Sequence, residues 1–144
     1  MTDEQKRILF VDDNEDTREM MTLLLDIRGY KVITAGNIAD ALMLAARYSF
    51  DLYMIDNLLQ DGTGVDLCRQ LRTLNPLTPV LFYSGAGYDS DIRQAVDAGA
   101  GGYIIKPATV EEIEASIERL LNRRPKRVLP ARPSPAPVSH QLTK

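Results

Sequence analysis

Five short apolar segments alternate with five amphipathic segments over the first 122 residues, and this alternation constrains the fold more than any other feature. The apolar segments span residues 8–11, 32–35, 52–55, 80–83 and 103–105. Their β-branched and aromatic side chains, apolar at successive positions, are typical of strands buried on both faces of a parallel sheet rather than half-exposed ones. The pattern predicts one open sheet covered by helices.

The segments between the strands carry apolar residues at helical spacing, which predicts five amphipathic helices. Gly29 and Gly99 follow two of these segments, at positions where glycine commonly ends a helix. The predicted core faces are Met20, Leu24 and Ile27 in the first helix; Ile38, Ala41, Leu42 and Ala45 in the second; Val65, Cys68 and Leu71 in the third; Ile92, Ala95 and Val96 in the fourth; and Ile113, Ile117, Leu120 and Leu121 in the fifth.

Strict alternation of strands and helices indicates an α/β protein, because parallel strands need right-handed crossovers that cover both faces of the sheet. Five βα units in a chain of this size fit the flavodoxin-like, doubly wound fold with strand order 2-1-3-4-5. The pattern ends at Asn122, and five of the eight prolines follow. We therefore predict one domain over residues 1–122 and a proline-rich, basic, disordered tail or linker over residues 123–144.

Charge and cysteine content narrow the class of protein. Residues 1–122 hold 11 basic and all 20 acidic residues, a net charge of −9, and six basic residues give the tail a charge of +6. An acidic domain is not expected to bind nucleic acid directly. The single cysteine, Cys68, fits a small buried apolar position and a reducing compartment, and no apolar run is long enough to cross a membrane. We expect a cytoplasmic protein without a membrane partner.

Polar residues stand at the carboxyl ends of four predicted strands. Asp12 and Asp13 follow the first strand, Asp56 the third, Ser84 the fourth and Lys106 the fifth. In the order 2-1-3-4-5 these four strands are neighbours, and open parallel sheets bind ligands at this edge. We expect three carboxylates, a hydroxyl and an ammonium to converge there.

Three crowded carboxylates repel one another unless a cation joins them. Oxygen ligands with room for water favour Mg²⁺, and Mn²⁺ can substitute for it. A metal-bound carboxylate beside a lysine forms a pocket in which the oxygens of a phosphoryl group face cations on two sides.

Each of these residues also has an ordinary explanation, and the functional interpretation depends on all of them falling at adjacent strand ends. The ordinary roles are a helix N-cap for Asp12 or Asp13, a loop cap for Asp56, a turn for Ser84 before Gly85, and a solvated loop for Lys106 before Pro107.

Four motifs resemble the response-regulator receiver family of two-component signalling, whose members have CheY-like domains. The motifs are residues 8–13, ending in Asp12-Asp13; residues 51–56, ending in Asp56; Ser84-Gly85; and residues 99–107, ending in Lys106-Pro107. They occur in the family's order and spacing, and the resemblance covers residues 7–122.

The resemblance implies a phosphoacceptor and a metal site. Asp56 would take a phosphoryl group from a phosphohistidine on a separate protein, either a sensor histidine kinase or a histidine phosphotransfer protein. Asp13, Asp56 and the backbone carbonyl of Leu58 would bind Mg²⁺ directly, and Asp12 would help to hold the metal and its waters. The chain would assist its own phosphorylation and dephosphorylation without being an enzyme in the usual sense.

The resemblance also implies a switch. Lys106 and Ser84 would each contact a phosphoryl oxygen, and Tyr103 would turn inward when Ser84 moves. The signal would leave through the face of the fourth helix, fifth strand and fifth helix, towards a downstream effector protein or output domain.

The sequence departs from the family pattern in the loops around the site. Gln60 stands where receivers usually have proline, four residues after Asp56, and Gly85 stands where alanine is frequent. Both differences predict looser loops. Leu58 and Ala86 occupy positions that tune self-hydrolysis in the family, and as apolar residues they offer the attacking water no hydrogen bond.

Two other functions share part of this residue pattern. A phosphatase of the haloacid dehalogenase type also places an aspartyl nucleophile after a strand, but it needs a second acid two residues later, where this chain has Leu58. The alternative is a pseudo-receiver that acts only as a protein-interaction module. It would be favoured if the acid pair, Asp56 or Lys106 were missing, and this chain has all of them.

Overall fold

A computed structural model describes residues 5–123, and the tail predicted to begin at residue 123 lies outside this range except for its first residue. The strands are β1 (Arg7–Val11), β2 (Lys31–Ala35), β3 (Leu52–Ile55), β4 (Leu58–Leu59), β5 (Gly62–Thr63), β6 (Val80–Ser84) and β7 (Gly102–Ile105). The helices are α1 (Glu15–Ile27), α2 (Ile38–Arg47), α3 (Gly64–Leu74), α4 (Asp89–Asp97) and α5 (Val110–Arg123). Within residues 5–123, no helix is both long enough and apolar enough to cross a membrane.

Five of the strands form one parallel sheet in the order β2-β1-β3-β6-β7. The other two, β4 and β5, pair with each other as a small antiparallel hairpin between β3 and α3. The fourth and fifth strands of the sequence analysis are therefore β6 and β7. The predicted α/β, flavodoxin-like fold and its strand order are confirmed.

The helices cover the sheet on both faces and divide the core into two layers. One layer holds buried residues of α2, α3 and α4, including Ala41, Cys68 and Ala95. The other holds buried residues of α1 and α5, including Met21 and Ile117. The central strands β1, β3 and β6 are buried throughout, whereas most residues of β2 and β7 are only partly buried or exposed. The prediction of full burial is wrong for these two strands because each lies at an edge of the sheet.

The predicted core faces agree with the structure in α2, α3 and α5 and differ in two helices. In α1 the buried residues are Met21 and Leu25, whereas Met20 and Ile27 are 43% and 74% exposed. This helix is apolar at six of the eight positions 20–27, so spacing alone does not select its inner face. In α4, Val96 is exposed, and Ala95 fills the core position.

Candidate functional site

Three carboxylates meet at the carboxyl edge of the sheet. Asp12, Asp13 and Asp56 each offer an oxygen within 4.8 Å of the other two. Adjacent strands cause this, because β1 and β3 pair in register up to Val11 and Ile55, the residues before Asp12 and Asp56. Asp12 and Asp56 are buried, with 1% and 7% exposure, and Asp13 is exposed to solvent.

Lys106 directly follows β7 at the same edge of the sheet and binds two of these carboxylates. Its Nζ donates to Asp12 Oδ2 at 2.9 Å and to Asp56 Oδ2 at 3.2 Å. Its backbone N–H donates to the carbonyl of Ser84 at 2.9 Å, which continues the pairing of β6 with β7. The ammonium also lies 5.0 Å from the ring centroid of Tyr83, within the range of a cation–π contact. The lysine is therefore held at both its backbone and its charged end.

Burial and charge act in opposite directions on this pair. Burial raises the pKa of Asp12, and the hydrogen bonds from the Asn14 N–H and from Lys106 offset it only in part. For Lys106, burial lowers the pKa, but its hydrogen bond to Asp12 and the charge of Asp56 outweigh burial and raise the pKa. The raised pKa of Asp12 indicates that the Lys106 ammonium does not fully compensate for the burial of this carboxylate.

The ordinary role of helix capping is filled by other residues. Asn14 is the N-cap of α1, where its side chain accepts the Thr17 N–H at 2.8 Å. Thr63 is the N-cap of α3, where its hydroxyl accepts the Asp66 N–H. The three carboxylates are therefore not needed to cap the helices that follow them. Asp56 Oδ1 accepts the backbone N–H of Leu58 at 3.2 Å, so its ordinary role as a loop cap is realised.

Ser84 and Tyr103 are connected through Ala86, which lies in the loop after β6. Ser84 is fully buried, and its Oγ accepts the N–H of Ala86 at 3.2 Å, so its ordinary role in a turn is realised. The ring of Tyr103 stacks on Phe82 with centroids 5.2 Å apart and planes 5° apart. The Tyr103 hydroxyl donates to the carbonyl of Ala86, the residue whose N–H binds Ser84. Ser84 and Tyr103 are thus both hydrogen-bonded to the backbone of Ala86.

Sequence reasoning missed Asn57, which connects the site to this tyrosine. Asn57 is buried, its Oδ1 accepts the N–H of Val65 at 3.2 Å, and its Nδ2 lies 3.5 Å from the Tyr103 hydroxyl. The only sign of Asn57 in the sequence is that a polar residue directly follows Asp56 at the end of an apolar strand. It carried no information about the partner, which lies 46 residues away.

Arg18 was also missed. Its Nη1 donates to the backbone carbonyl of Asp12 at 2.7 Å and so fixes the segment that carries the acid pair. Gly36 leaves room for it, because a Cβ there would lie 2.9 Å from Arg18 Nη1. No periodic pattern in the sequence marks this contact.

The chemistry of the three carboxylate side chains fits a divalent cation. All three side chains offer carboxylate oxygens, the ligands that Mg²⁺, Mn²⁺ and Ca²⁺ prefer. Within residues 5–123, the ion pairs of the cluster join Lys106 to Asp12 and to Asp56, so a single ammonium faces a cluster of three carboxylates. Asp13 is open to solvent, which leaves an approach for a hydrated ion.

The chain is similar to known proteins over most of its described length. Residues 8–118 match the model of the response regulator receiver domain. The chain is 36% identical over 117 residues to the response regulator MprA of Mycobacterium leprae, covering 81% of this chain and 51% of that protein. It is 32% identical over 118 residues to the alkaline phosphatase synthesis transcriptional regulatory protein PhoP of Bacillus subtilis, covering 82% and 49%. The chain thus spans about half the length of these relatives.

Two solved structures show the same fold. A CheY-like receiver domain protein from Methanospirillum hungatei is 27% identical with a TM-score of 0.80, over 83% of this chain and 95% of that one. A response regulator from Burkholderia pseudomallei, solved with a phosphorylated aspartic acid, a calcium ion and citrate, is 34% identical with a TM-score of 0.76, over 82% and 69%.

Proposed function

Because the chain belongs to the response regulator receiver family, we propose that it accepts a phosphoryl group on Asp56 as a transient signal. One observation carries the proposal: the Asp56 carboxylate shares the Lys106 ammonium with Asp12 and lies beside Asp13. The similar Burkholderia pseudomallei structure contains a phosphorylated aspartic acid, which supports this chemistry for the present chain.

The proposed donor is a phosphohistidine of a sensor histidine kinase or of a histidine phosphotransfer protein. A lone pair on an Asp56 carboxylate oxygen forms the new O–P bond while the P–N bond of the donor breaks. The electron pair of that bond returns to the histidine nitrogen, and because the other ring nitrogen of the phosphohistidine is protonated, a neutral imidazole leaves. The chain supplies the nucleophile and the surrounding charge, so positioning and electrostatics account for the rate.

Asp13, Asp56 and the backbone carbonyl of Leu58 are the proposed ligands of Mg²⁺, with Asp12 orienting its waters. Mn²⁺ can substitute for it. When bound, the cation neutralises negative charge on the phosphoryl oxygens. The calcium ion in the Burkholderia pseudomallei structure is a further argument for a divalent cation here.

Lys106 and Ser84 complete the proposed phosphoryl pocket. The Lys106 ammonium lies 3.2 Å from Asp56 Oδ2, which supports an ion pair between this ammonium and a phosphoryl oxygen bonded to Asp56. Ser84 lies on the neighbouring strand with a hydroxyl that now accepts the Ala86 N–H, and it would exchange this partner by donating to a phosphoryl oxygen. Tyr103, held through Ala86, would respond to that movement as the switch.

The phosphoryl group leaves by hydrolysis. Water attacks phosphorus, the bond to the Asp56 oxygen breaks, and inorganic phosphate departs with the water's oxygen and protons. Leu58 and Ala86 line the approach in the proposal and offer no side-chain hydrogen bond to this water. In this proposal the chain assists its own phosphorylation and dephosphorylation without being a classical enzyme.

The signal is proposed to leave through the face formed by α4, β7 and α5, towards an effector protein or output domain. Three apolar side chains on or beside these elements are exposed, Tyr88 by 80%, Val96 by 57% and Ile105 by 45%, which suits a protein partner. The proposed location is the cytoplasm, which agrees with the single cysteine.

The test is covalent labelling. With Mg²⁺ and acetyl phosphate, the chain should gain the mass of one phosphoryl group, and hydroxylamine should remove it. Asp56→Asn should abolish the gain, and Asp51→Asn, which changes an aspartate just before β3, should not. Undiminished labelling of Asp56→Asn would refute the assignment, and an unlabelled wild type would favour a pseudo-receiver.

A further inference from the structure

The hairpin of β4 and β5 connects the proposed phosphoacceptor to α3, and its base is closed tightly. Gly64 donates its N–H to the carbonyl of Asn57 at 2.8 Å. A Cβ at Gly64 would lie 2.3 Å from the Asp56 carbonyl oxygen, so only glycine permits this approach. The two ends of the segment therefore meet directly behind Asp56.

The tip of the hairpin is bound to a different helix. The Asp61 carboxylate accepts the N–H of Ile38 at 2.9 Å and 3.1 Å, through its two oxygens, and the N–H of Ala39 at 3.3 Å. These are the first two amides of α2, which have no partner within the helix. Asn37, the N-cap, accepts the N–H of Asp40 at 2.8 Å. Asn37 and Asp61 thus bind different amides, and neither duplicates the other.

Two further observations show that this contact is close and favourable. A Cβ at Gly62 would lie 2.7 Å from Ile38 Cδ1, so the hairpin packs directly on the first residue of α2. The hydrogen bond from the Ile38 N–H lowers the pKa of the Asp61 carboxyl below its usual value, which agrees with a carboxylate at the positive end of a helix.

The hairpin connects the contact with α2 to Asp56. Leu58 pairs with Thr63, and Leu59 pairs with Gly62, so the pairing connects the tip of the hairpin to its base. Leu58 donates its N–H to Asp56 Oδ1 at 3.2 Å, the oxygen that Lys106 does not bind. The orientation of the Asp56 carboxylate is therefore fixed by Lys106 on one oxygen and by the hairpin on the other.

We propose that Asp61 is a positioning residue of the site: by anchoring the hairpin tip to α2, it holds Leu58 beside Asp56 and thereby raises the affinity for the divalent cation and the rate of phosphoryl transfer. The inference rests on the proposed function, in which Asp56 and the Leu58 carbonyl bind the cation. It adds a residue that touches neither the cation nor the phosphoryl group.

The experiment compares three variants of the full chain with the wild type. Asp61→Ala removes every acceptor, and Asp61→Asn retains one. Asp40→Ala is the matched control, because it removes an exposed carboxylate from the same first turn of α2 without touching the hairpin. Mg²⁺ affinity is measured by titration with amide NMR spectra, in which Ile38 and Ala39 report on the anchor. The rate of labelling by acetyl phosphate is measured in parallel.

Asp61→Ala should weaken Mg²⁺ binding on the order of tenfold, the low end for residues that support metal ligands, and slow labelling. Asp61→Asn should fall between Asp61→Ala and the wild type, and Asp40→Ala should match the wild type. Loss of the Ile38 and Ala39 signature with unchanged Mg²⁺ affinity would overturn the inference, as would equal losses in Asp61→Ala and Asp40→Ala. A wild type that neither binds Mg²⁺ nor becomes labelled would instead refute the proposed function itself.

Discussion

Lys106 Nζ donates a hydrogen bond to Asp12 Oδ2 at 2.9 Å, although 94 residues separate the two in the chain. The pair joins the end of the first strand to the end of the last, across the width of β3 and β6. Asp12 is 1% exposed, so its carboxylate depends on partners within the protein rather than on water. The same contact therefore connects the ends of β1 and β7 and arranges the candidate site.

Removing the lysine charge should destabilise the metal-free protein. Lys106→Gln leaves the buried Asp12 carboxylate without its cation, and we expect a loss of about 1 to 3 kcal/mol in the free energy of unfolding. Urea denaturation at pH 7 with a chelator measures it. Lys31→Gln, on the edge strand β2, is the control and should change little. Equal stability of Lys106→Gln and wild type would show that the ion pair contributes nothing to folding.

Mg²⁺ should stabilise the fold, because it relieves the repulsion among Asp12, Asp13 and Asp56. At about 100 times the dissociation constant, linkage predicts about 2.7 kcal/mol. For a chain of this length that corresponds to a rise in Tm of roughly 5 to 10 °C. Thermal denaturation with and without Mg²⁺ checks it. Asp13→Ala should lose most of the rise, whereas Asp16→Ala, an exposed acid in the first turn of α1, should keep it. A wild-type Tm that is the same with and without Mg²⁺ would contradict a metal site.

Cys68 should make stability fall in alkaline solution. Burial raises the pKa of its thiol from 9.0 to about 11. Between these values the unfolded chain has lost a proton that the folded chain keeps, so the free energy of unfolding decreases as the pH rises through this window. The full effect is about 2 to 3 kcal/mol.

The measurement for Cys68 is the difference in unfolding free energy between wild type and Cys68→Ala from pH 7 to pH 11. The wild type should be the more stable of the two at pH 7, because alanine leaves a cavity at a position that is 0% exposed. Its advantage should shrink above pH 9. An advantage that stays constant to pH 11 would mean that the thiol ionises as freely in the fold as in the unfolded chain.

The sheet and the convergence of the acids could be predicted because both follow from patterns local to each strand. Apolar runs mark the strands, and the residue after each run lies at the sheet edge. The strand order alone therefore predicts that Asp12 and Lys106 lie close together. The face of α1 could not be predicted, because Met20 and Met21 are both apolar and only packing distinguishes them.

The hairpin contacts could not be predicted for a different reason. Gln60, in place of a proline, predicts a looser loop, and in the structure this segment pairs as two two-residue strands and contacts α2 through Asp61. A capping residue 23 positions away from its helix has no signature in the sequence. The same holds for Asn57, whose amide lies near a tyrosine on the far strand β7.

Ser84 is the residue through which we expect the phosphoryl signal to reach Tyr103. Its buried hydroxyl binds the N–H of Ala86, and the carbonyl of Ala86 accepts the Tyr103 hydroxyl, so a phosphoryl oxygen that draws Ser84 towards Asp56 disturbs the group that holds the ring. In Ser84→Ala this connection is missing, while Asp56 and Lys106 are unchanged. Labelling by acetyl phosphate should therefore persist, at a lower rate.

Amide NMR spectra with beryllofluoride, a phosphoryl mimic, test the switch. In the wild type, chemical-shift changes should extend from Asp56 over residues 86–106. In Ser84→Ala they should remain near Asp56 and fade across α4 and β7. Ser90→Ala, an exposed serine in the first turn of α4, is the matched control and should respond like the wild type. A full response of Ser84→Ala across residues 86–106 would mean that the signal leaves by another route, for which Asn57, between Val65 and Tyr103, is the connection in the structure.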